Sequence, residues 1–136
     1  MRGIADTGFL VAFANRNDFH HEWAVQLAGQ VSEPLITCDA VLAEAAFHLR
    51  NTALVLEFVR QGLVTPVLEI LDHMPRLLQI ARRFADQSPD LADICLIRLS
   101  ELYPQHSVIT IDSHDFRIYR RNRREMIPLI VPPSLK

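Results

Sequence analysis

Lysine is almost missing from this chain of 136 residues, because Lys136 is the only lysine among its 14 basic side chains. Acids outnumber bases, and the formal net charge of −2 argues against a protein that binds nucleic acid by bulk electrostatics. Cysteine is scarce as well, since Cys38 and Cys95 are the only two and both have apolar neighbours. The sequence therefore predicts two buried free thiols and gives no sign of a disulfide framework.

Long apolar runs are also missing. No run reaches the roughly 18–20 residues that a membrane-spanning helix needs, although 49% of the residues are hydrophobic. Asp6 lies where a signal peptide would carry its apolar region, so we expect a cytoplasmic protein without membrane association. The length suits one domain with a single core, and no repeat or linker interrupts it. Residues 1–136 are predicted to form one domain.

Short apolar segments alternate with amphipathic ones along the chain, which is typical of strands alternating with helices. The predicted strands are 2–6, 35–37, 63–68, 107–111 and 126–131. Pro66 places the third of them at a sheet edge. The predicted helices are 7–14, 21–31, 39–49, 52–61, 72–85 and 89–102, the last capped by Ser88. This order predicts an α/β fold, a three-layer sandwich with a mostly parallel central sheet of about five strands.

Four isolated acids stand in apolar stretches spread over the whole chain. Asp6 and Asp112 each close a predicted strand, and Glu44 and Asp93 are the only acids in the runs 40–49 and 91–97. A carboxylate in an apolar setting costs several kcal/mol or stays protonated unless a cation compensates it. No Lys or Arg lies in the same runs as Glu44 and Asp93. We therefore expect the four acids to meet around a divalent metal ion.

The predicted fold brings these acids together. Ligands of open parallel sheets bind beyond the carboxyl ends of the strands, which is where Asp6 and Asp112 are expected. The helices that carry Glu44 and Asp93 begin at or near the same edge. Carboxylates suit the hard cations Mg²⁺ and Mn²⁺, and the sequence contains no His or Cys cluster that would favour a softer metal. The alternatives are a helix-capping role for Asp6 or Asp112 and a position on an exposed helix face for Glu44 and Asp93.

These residues carry a resemblance to a known family. The pattern of Asp6-Thr7 after the first strand, the isolated Glu44, Asp93 in Leu91–Ile97 and Thr110-Ile111-Asp112 resembles the PIN-domain family. Its length and minimal architecture are most similar to the VapC-type toxins of toxin–antitoxin pairs. The resemblance covers essentially the whole chain, and it implies a single PIN-like nuclease domain.

The resemblance implies a function and a site. It implies that Asp6, Glu44, Asp93 and Asp112 are catalytic, that they bind Mg²⁺ or Mn²⁺, and that the domain hydrolyses phosphodiester bonds of RNA. It also implies a cognate antitoxin, which contacts the helices of the region 39–61, and a homodimer that forms through helices nearby. Three apolar residues of that region are predicted to be available to such a partner: Phe47, Leu54 and Phe58.

Further residues are candidates for supporting roles. Asp115 either extends the acidic cluster as a metal ligand or only caps a turn. Thr7 and Thr110 either contact substrate through their hydroxyls or cap backbone groups. The arginine run 117–124 either cradles the RNA backbone or forms a solvated loop that offsets the acids. The candidate substrate-binding arginines in this run are Arg117, Arg120 and Arg121.

Two alternatives keep the predicted fold but assign the protein a different function. One is a PIN-type nuclease of RNA maturation or decay that has no antitoxin. The other is a non-catalytic RNA-binding module, which the presence of all four acids disfavours. A phosphate-accepting receiver domain is a third possibility by fold, but it needs an acidic pair near the end of the first strand and a lysine late in the chain. This sequence has Asp6 alone at that strand and only Lys136.

Overall fold

Five short strands form one central sheet in the computed structural model, which describes residues 1–136. The strands are β1 Gly3–Ala5, β2 Leu35–Thr37, β3 Val64–Pro66, β4 Ser107–Ile109 and β7 Leu129–Ile130. All neighbouring pairs are parallel, and the strand order is β3-β2-β1-β4-β7. β5 Arg120–Arg121 and β6 Glu125–Met126 form a separate antiparallel pair. The predicted α/β fold with a parallel sheet of five strands flanked by helices is confirmed.

Seven helices connect and cover these strands. They are α1 Thr7–Ala14, α2 His21–Gly29, α3 Asp39–Leu49, α4 Thr52–Arg60, α5 Met74–Arg83, α6 Leu91–Leu102 and α7 Ser113–Ile118. Short 3-10 turns precede α5 and follow it, at Ile70–His73 and Ala85–Gln87. No helix has both the length and the apolar character needed to cross a membrane.

The core lies between the sheet and its helices. β1 is central and all three of its residues are buried, as expected for a parallel strand covered on both faces. A cluster of 28 buried apolar residues extends from this strand through α1, α3 and α6. Cys38 and Cys95 are free and buried, as predicted. Phe58 was predicted to be available to a partner, but this is wrong because its ring packs edge-on against Phe13 at 5.5 Å and is 8% exposed.

The predicted last strand, 126–131, is shorter in the structure. Met126 pairs with Arg120 in the small hairpin, and only Leu129 and Ile130 join the central sheet. Pro128 separates the two segments, and it has no N–H to donate to a neighbouring strand. Its carbonyl still accepts a hydrogen bond from the N–H of Val108. The proline therefore divides one apolar run between two sheets.

Local sequence fixes how α1 leaves β1. Asp6 is the N-cap, and its side chain accepts a hydrogen bond from the N–H of Thr7 at 2.7 Å. Gly8 lies against Ile111, which follows β4, and an added Cβ would come within 2.5 Å of that side chain. Glycine at this position lets the start of α1 approach the end of β4. The consequence is that Asp6 and Asp112 lie at the same edge of the sheet.

The start of α6 differs from the prediction. Asp90 is the N-cap, and Asp90 and Asp93 form a reciprocal capping box in which each side chain accepts from the other residue's N–H. Ser88, the predicted cap, has φ of 49° and ends the preceding 3-10 turn. An N-cap residue needs an extended backbone, which Asp90 has and Ser88 does not. Asp90 is thereby placed beside Asp93.

Candidate active site

The carboxyl ends of β1 and β4 open into one acidic cleft. The two strands are adjacent and parallel, with Ala5 opposite Ile109, so the chain leaves both at the same edge. The cleft has a volume of about 600 Å³. All four acids singled out in the sequence line it, and so do three more, so that its acidic lining is Asp6, Asp18, Glu44, Asp90, Asp93, Asp112 and Asp115.

Asp6 is the most firmly held of these acids. Its side chain is 7% exposed and accepts hydrogen bonds from the N–H of Thr7 at 2.7 Å and from the hydroxyl of Thr110 at 2.6 Å. Thr110 is itself fully buried, and its hydroxyl oxygen accepts from the N–H of Asp112 at 2.8 Å. Thr110 therefore links the two acids that follow neighbouring strands.

Glu44 reaches the cleft from α3. One of its carboxylate oxygens accepts a hydrogen bond from the hydroxyl of Thr7 at 2.9 Å. Thr7 thus contacts Asp6 through its backbone N–H and Glu44 through its hydroxyl, so one residue links two acids that are 38 positions apart in the chain. His48, one turn further along α3, also lines the cleft. The first turn of α1 therefore fixes the relative placement of two of the four acids.

Asp93 points from the first turn of α6 into the same cleft. One of its oxygens accepts from the N–H of Asp90 at 3.3 Å and from the phenol of Tyr119 at 3.2 Å. Tyr119 is fully buried, with its ring edge-on to Phe84 and Phe116. Because the buried ring of Tyr119 cannot move freely, its hydroxyl restricts the side chain of Asp93 to one orientation.

Burial and crowding raise the pKa of each of the four acids. Burial is the largest cause in every case, and it raises the pKa of Asp6 to about 6 and that of Asp93 to about 7. Neighbouring carboxylates add to the effect of burial. Asp90 raises the pKa values of Asp93 and Glu44, and Asp115 raises that of Asp112. No Lys or Arg lines the cleft to counter this. The protein alone therefore does not neutralise the charge that it concentrates here.

The donor chemistry of the cleft fits a hard divalent cation, since it offers carboxylate and hydroxyl oxygens and no thiolate. In the present side-chain rotamers, however, no group of three His, Cys, Asp or Glu residues is close enough to hold a metal ion. Both oxygens of Asp6 are engaged by Thr7 and Thr110. Mutual repulsion between carboxylates favours such a spread arrangement. An ion at this site would require rotation of side chains toward it.

Three arginines predicted to bind substrate lie away from the cleft lining. Arg121 is 9% exposed, and its guanidinium donates to the carbonyls of Ser100 and Pro104. Arg120 donates to three carbonyls at the end of α7, and Arg117 donates to the carbonyl of Leu135. Arg121 therefore uses its charge inside the fold, where it also pairs with Glu125, and its contact with RNA stays a prediction.

The two threonines predicted to contact substrate use their hydroxyls within the protein. Thr7 donates to Glu44 and Thr110 donates to Asp6, so each orients a carboxylate. Full burial of Thr110 leaves its hydroxyl no path to an RNA strand in this conformation. The sequence did not reveal Tyr119 and Asp18 as residues of the site. Tyr119 lies in a polar segment, and Asp18 ends the polar stretch Asn15-Arg16-Asn17-Asp18, so neither has a local pattern that indicates a site.

The raised pKa of Asp93 predicts a pH dependence for the metal-free protein. An acid with a pKa of about 7 in the folded state and 3.8 as its ordinary value binds its proton more tightly when folded. Its contribution to stability is complete below about pH 4 and is lost as the pH rises through 7. We expect Asp93→Asn to gain free energy of unfolding relative to the unsubstituted protein between pH 4 and 8. Urea denaturation in EDTA at several pH values measures this difference. A difference in the free energy of unfolding that does not change with pH would refute the prediction.

Comparison with known protein families identifies one match. The family model described as PIN domain matches residues 4–124, which include every strand-end and helix acid of the cleft. A comparison with curated individual proteins gives no match.

Proposed function

This chain belongs to the PIN-domain family, whose members are generally nucleases, and on that premise we propose that it is a metal-dependent endoribonuclease. The substrate we propose is RNA, cleaved within the chain to leave a 5′-phosphate and a 3′-hydroxyl. We further propose that the whole chain, 1–136, acts as this single nuclease domain in the cytoplasm.

One observation carries the proposal: acids from four distant parts of the chain line the same cleft without a basic partner. Asp6, Glu44, Asp93 and Asp112 come from the ends of two strands and from two helices. None of them takes part in the ion pairs of the protein. Asp6 is buried and the other three are half-buried, and carboxylates in such positions are normally paired. An unpaired group of them therefore favours a role in binding a cation.

We propose that these four acids, with Asp115 as a fifth candidate, hold Mg²⁺ or Mn²⁺. PIN-domain nucleases typically use divalent metals, and the oxygen donors of the cleft suit both ions. When bound, such an ion supplies positive charge that polarises a phosphodiester and acidifies a water molecule. A bound cation would also offset the repulsion between the crowded carboxylates, which adds to the effect of burial on their pKa values.

The chain's own residues do the positioning. Thr110 and the N–H of Thr7 fix Asp6, the hydroxyl of Thr7 fixes Glu44, and Tyr119 fixes Asp93. Contacts of this kind restrict the orientations that the carboxylates can adopt, which lowers the cost of bringing them to a bound cation. Thr7 and Thr110 are thus positioning residues in our proposal.

Cleavage of a defined single-stranded RNA tests this function. The protein should cleave it internally with Mn²⁺ or Mg²⁺ present and not in EDTA, and the products should carry 5′-phosphates that a 5′-phosphate-dependent exonuclease can degrade. Internal cleavage that continues in EDTA, or the absence of cleavage with either metal, would overturn the proposal.

We propose in addition that the protein is the toxin of a toxin–antitoxin module and forms a homodimer. The support is the resemblance to VapC-type toxins and an apolar surface on α3 and α4, where Phe47 is 78% exposed and Leu56 is 61% exposed. Exposed side chains of this size often mark interaction surfaces. Leu54, the other predicted contact, is half-buried there.

Analytical ultracentrifugation tests the dimer through Phe47. The unsubstituted protein should sediment as a dimer, and Phe47→Asp should shift it toward the monomer, because a carboxylate would be buried in the interface. Leu71→Asp is the matched control, since Leu71 is 82% exposed but lies between β3 and α5. A monomeric unsubstituted protein, or equal effects of the two substitutions, would contradict the proposal. A small neighbouring gene whose product co-purifies with the chain would support the antitoxin.

A nuclease of RNA maturation or decay without an antitoxin is the second candidate, and it shares the site described above. Absence of any co-purifying antitoxin, combined with metal-dependent cleavage, would favour it. A non-catalytic RNA-binding module is disfavoured by the presence of all four acids in the cleft.

A further inference from the structure

A second charged pocket lies at the other end of α6 from the acidic cleft. It has a volume of about 270 Å³ and no hydrophobic lining. Six residues form it, from α5, α6 and the turn between β5 and β6: Arg76, Gln79, Arg98, Glu101, Asn122 and Arg123. We call it the basic pocket, because three guanidinium groups and a single carboxylate line it.

Glu101 organises this pocket. Its side chain is 2% exposed and accepts hydrogen bonds from Arg76, from Arg98 and from the N–H of Asn122. Burial alone would raise the pKa of Glu101, but these bonds hold it below its ordinary value, so the carboxylate is ionised. It offsets one of the three positive charges. A net charge of about +2 remains among the side chains of the pocket, which is the opposite of the acidic cleft.

Donor groups remain available in the pocket. Arg98 donates through Nε to His73 and through Nη1 to Glu101, which leaves its Nη2 without a hydrogen bond. Arg123 belongs to none of the ion pairs of the protein and is exposed. Asn122 and Arg123 both have positive φ, 47° and 74°, a conformation that is uncommon for residues with a side chain. The bond from Asn122 N–H to Glu101 anchors this turn and presents Arg123 at the pocket.

Contacts between elements connect the basic pocket to the acidic cleft. The segment 119–122 runs along α6, with Tyr119 at Asp93, Arg121 at Ser100 and Asn122 at Glu101. Glu101 lies eight positions after Asp93, which at about 1.5 Å per residue is about 12 Å along the helix. At the about 3.4 Å rise per nucleotide of a stacked strand, this distance corresponds to three or four nucleotides.

The surface of α5 provides a basic path between the two. Arg76, Gln79 and Arg83 are spaced three and four residues apart, so they lie on one face of this helix. The helix contains no acidic residue between Met74 and Arg83. At its far end Arg83 lies over the ring of Phe84, which packs against Tyr119, the partner of Asp93.

We propose that the basic pocket binds a backbone phosphate of the RNA strand whose scissile bond lies in the acidic cleft. This inference rests on the proposed function, and it identifies where the strand continues beyond the cleft. Guanidinium groups in a fixed fork are well suited to phosphate oxygens. Because the cleft itself is strongly acidic, a metal ion and a remote cationic contact together would offset its repulsion of the RNA backbone.

Arg123→Gln tests the proposal, with Arg124→Gln as the matched control. Both residues are exposed arginines of the same turn, but only Arg123 lines the pocket. With Mn²⁺, Arg123→Gln should lower kcat/KM about 5-fold on a 16-nucleotide RNA and leave a 3-nucleotide RNA unaffected, since the short strand does not reach the pocket. Arg124→Gln should leave both unchanged. In EDTA, the slope of log K against log salt for the long RNA should become less negative by about 0.7 in Arg123→Gln only.

The possible outcomes test the phosphate contact and the proposed nuclease function separately. Equal effects of the two substitutions on the long RNA, or no RNA binding by the unsubstituted protein, would overturn the phosphate contact. RNA binding that is weakened by Arg123→Gln alone, without cleavage at any metal concentration, would sustain the contact and refute the nuclease. Thermal protection by inorganic phosphate that depends on Arg123, with RNA binding unchanged, would assign the pocket to a free phosphate compound and overturn the proposal.

Discussion

Asp93→Asn should lower the rate of RNA cleavage by about 10²–10³-fold while the protein stays folded. This magnitude is typical when one preorganised electrostatic group is removed from an active site. The substitution keeps the size of the side chain and one oxygen that can accept from Tyr119 or from the N–H of Asp90, as Asp93 does now. It removes the negative charge that a bound cation would require. Initial rates on a labelled RNA with saturating Mn²⁺ give the measurement.

A matched control distinguishes loss of the site from loss of net charge. Asp86 is exposed, lies in the 3-10 turn before α6 and does not line the cleft. Asp86→Asn should therefore cleave RNA at the unsubstituted rate. Undiminished cleavage by Asp93→Asn, with a normal melting curve, would remove Asp93 from the catalytic group. An equal loss in both variants would point to an effect of overall charge.

Millimolar Mn²⁺ should raise the melting temperature of the protein by roughly 5–10 °C at pH 8. A ligand at 100 times its Kd adds about 2.7 kcal/mol to the free energy of unfolding, and about 1 kcal/mol shifts a domain of this size by roughly 2–4 °C. The effect should be large at pH 8, because Asp6 and Asp93, with pKa values of about 6 and about 7, are then ionised and repel each other in the metal-free protein.

The same experiment has two controls. KCl at equal ionic strength should reproduce little of the shift, because screening by monovalent salt is weak between partly buried groups. Asp6→Asn should reduce the shift caused by Mn²⁺, since Asp6 is one of the four proposed ligands and is close enough to Glu44, Asp93 and Asp112 for their charges to interact. A melting temperature indifferent to Mn²⁺ in the unsubstituted protein would count directly against a metal site.

The elements that carry the acids were predictable, since each depends on a strong local signal. β1 and β4 are short apolar runs that end in Asp6 and Asp112, and two adjacent parallel strands necessarily release their chains at the same edge. The end of the chain was harder, because Pro128 divides an apolar run that has the composition of one strand. The cap of α6 was also misplaced by two residues, since Ser88 and Asp90 are both favourable cap residues and only the backbone angle separates them.

The partners of the acids were beyond the reach of the sequence. Tyr119 lies 26 residues from Asp93, and Thr110 lies 104 residues from Asp6, so neither pair leaves a local pattern. The same holds for the arginines. Arg121 and Arg123 are neighbours of one type, yet Arg121 is buried against the carbonyls of Ser100 and Pro104 while Arg123 is exposed. Tertiary contacts decide which of the two charges remains available to a ligand.

Anomalous diffraction from crystals grown with Mn²⁺ would test the central claim most directly. Our account predicts a manganese peak in the cleft, within bonding distance of carboxylate oxygens of Asp6, Glu44, Asp93 and Asp112, with Glu44 or Asp112 rotated toward it. Crystals of Asp93→Asn should show a weaker peak or none. A fully formed cleft that contains no manganese at millimolar concentration, or a peak held only by residues outside the cleft, would contradict it.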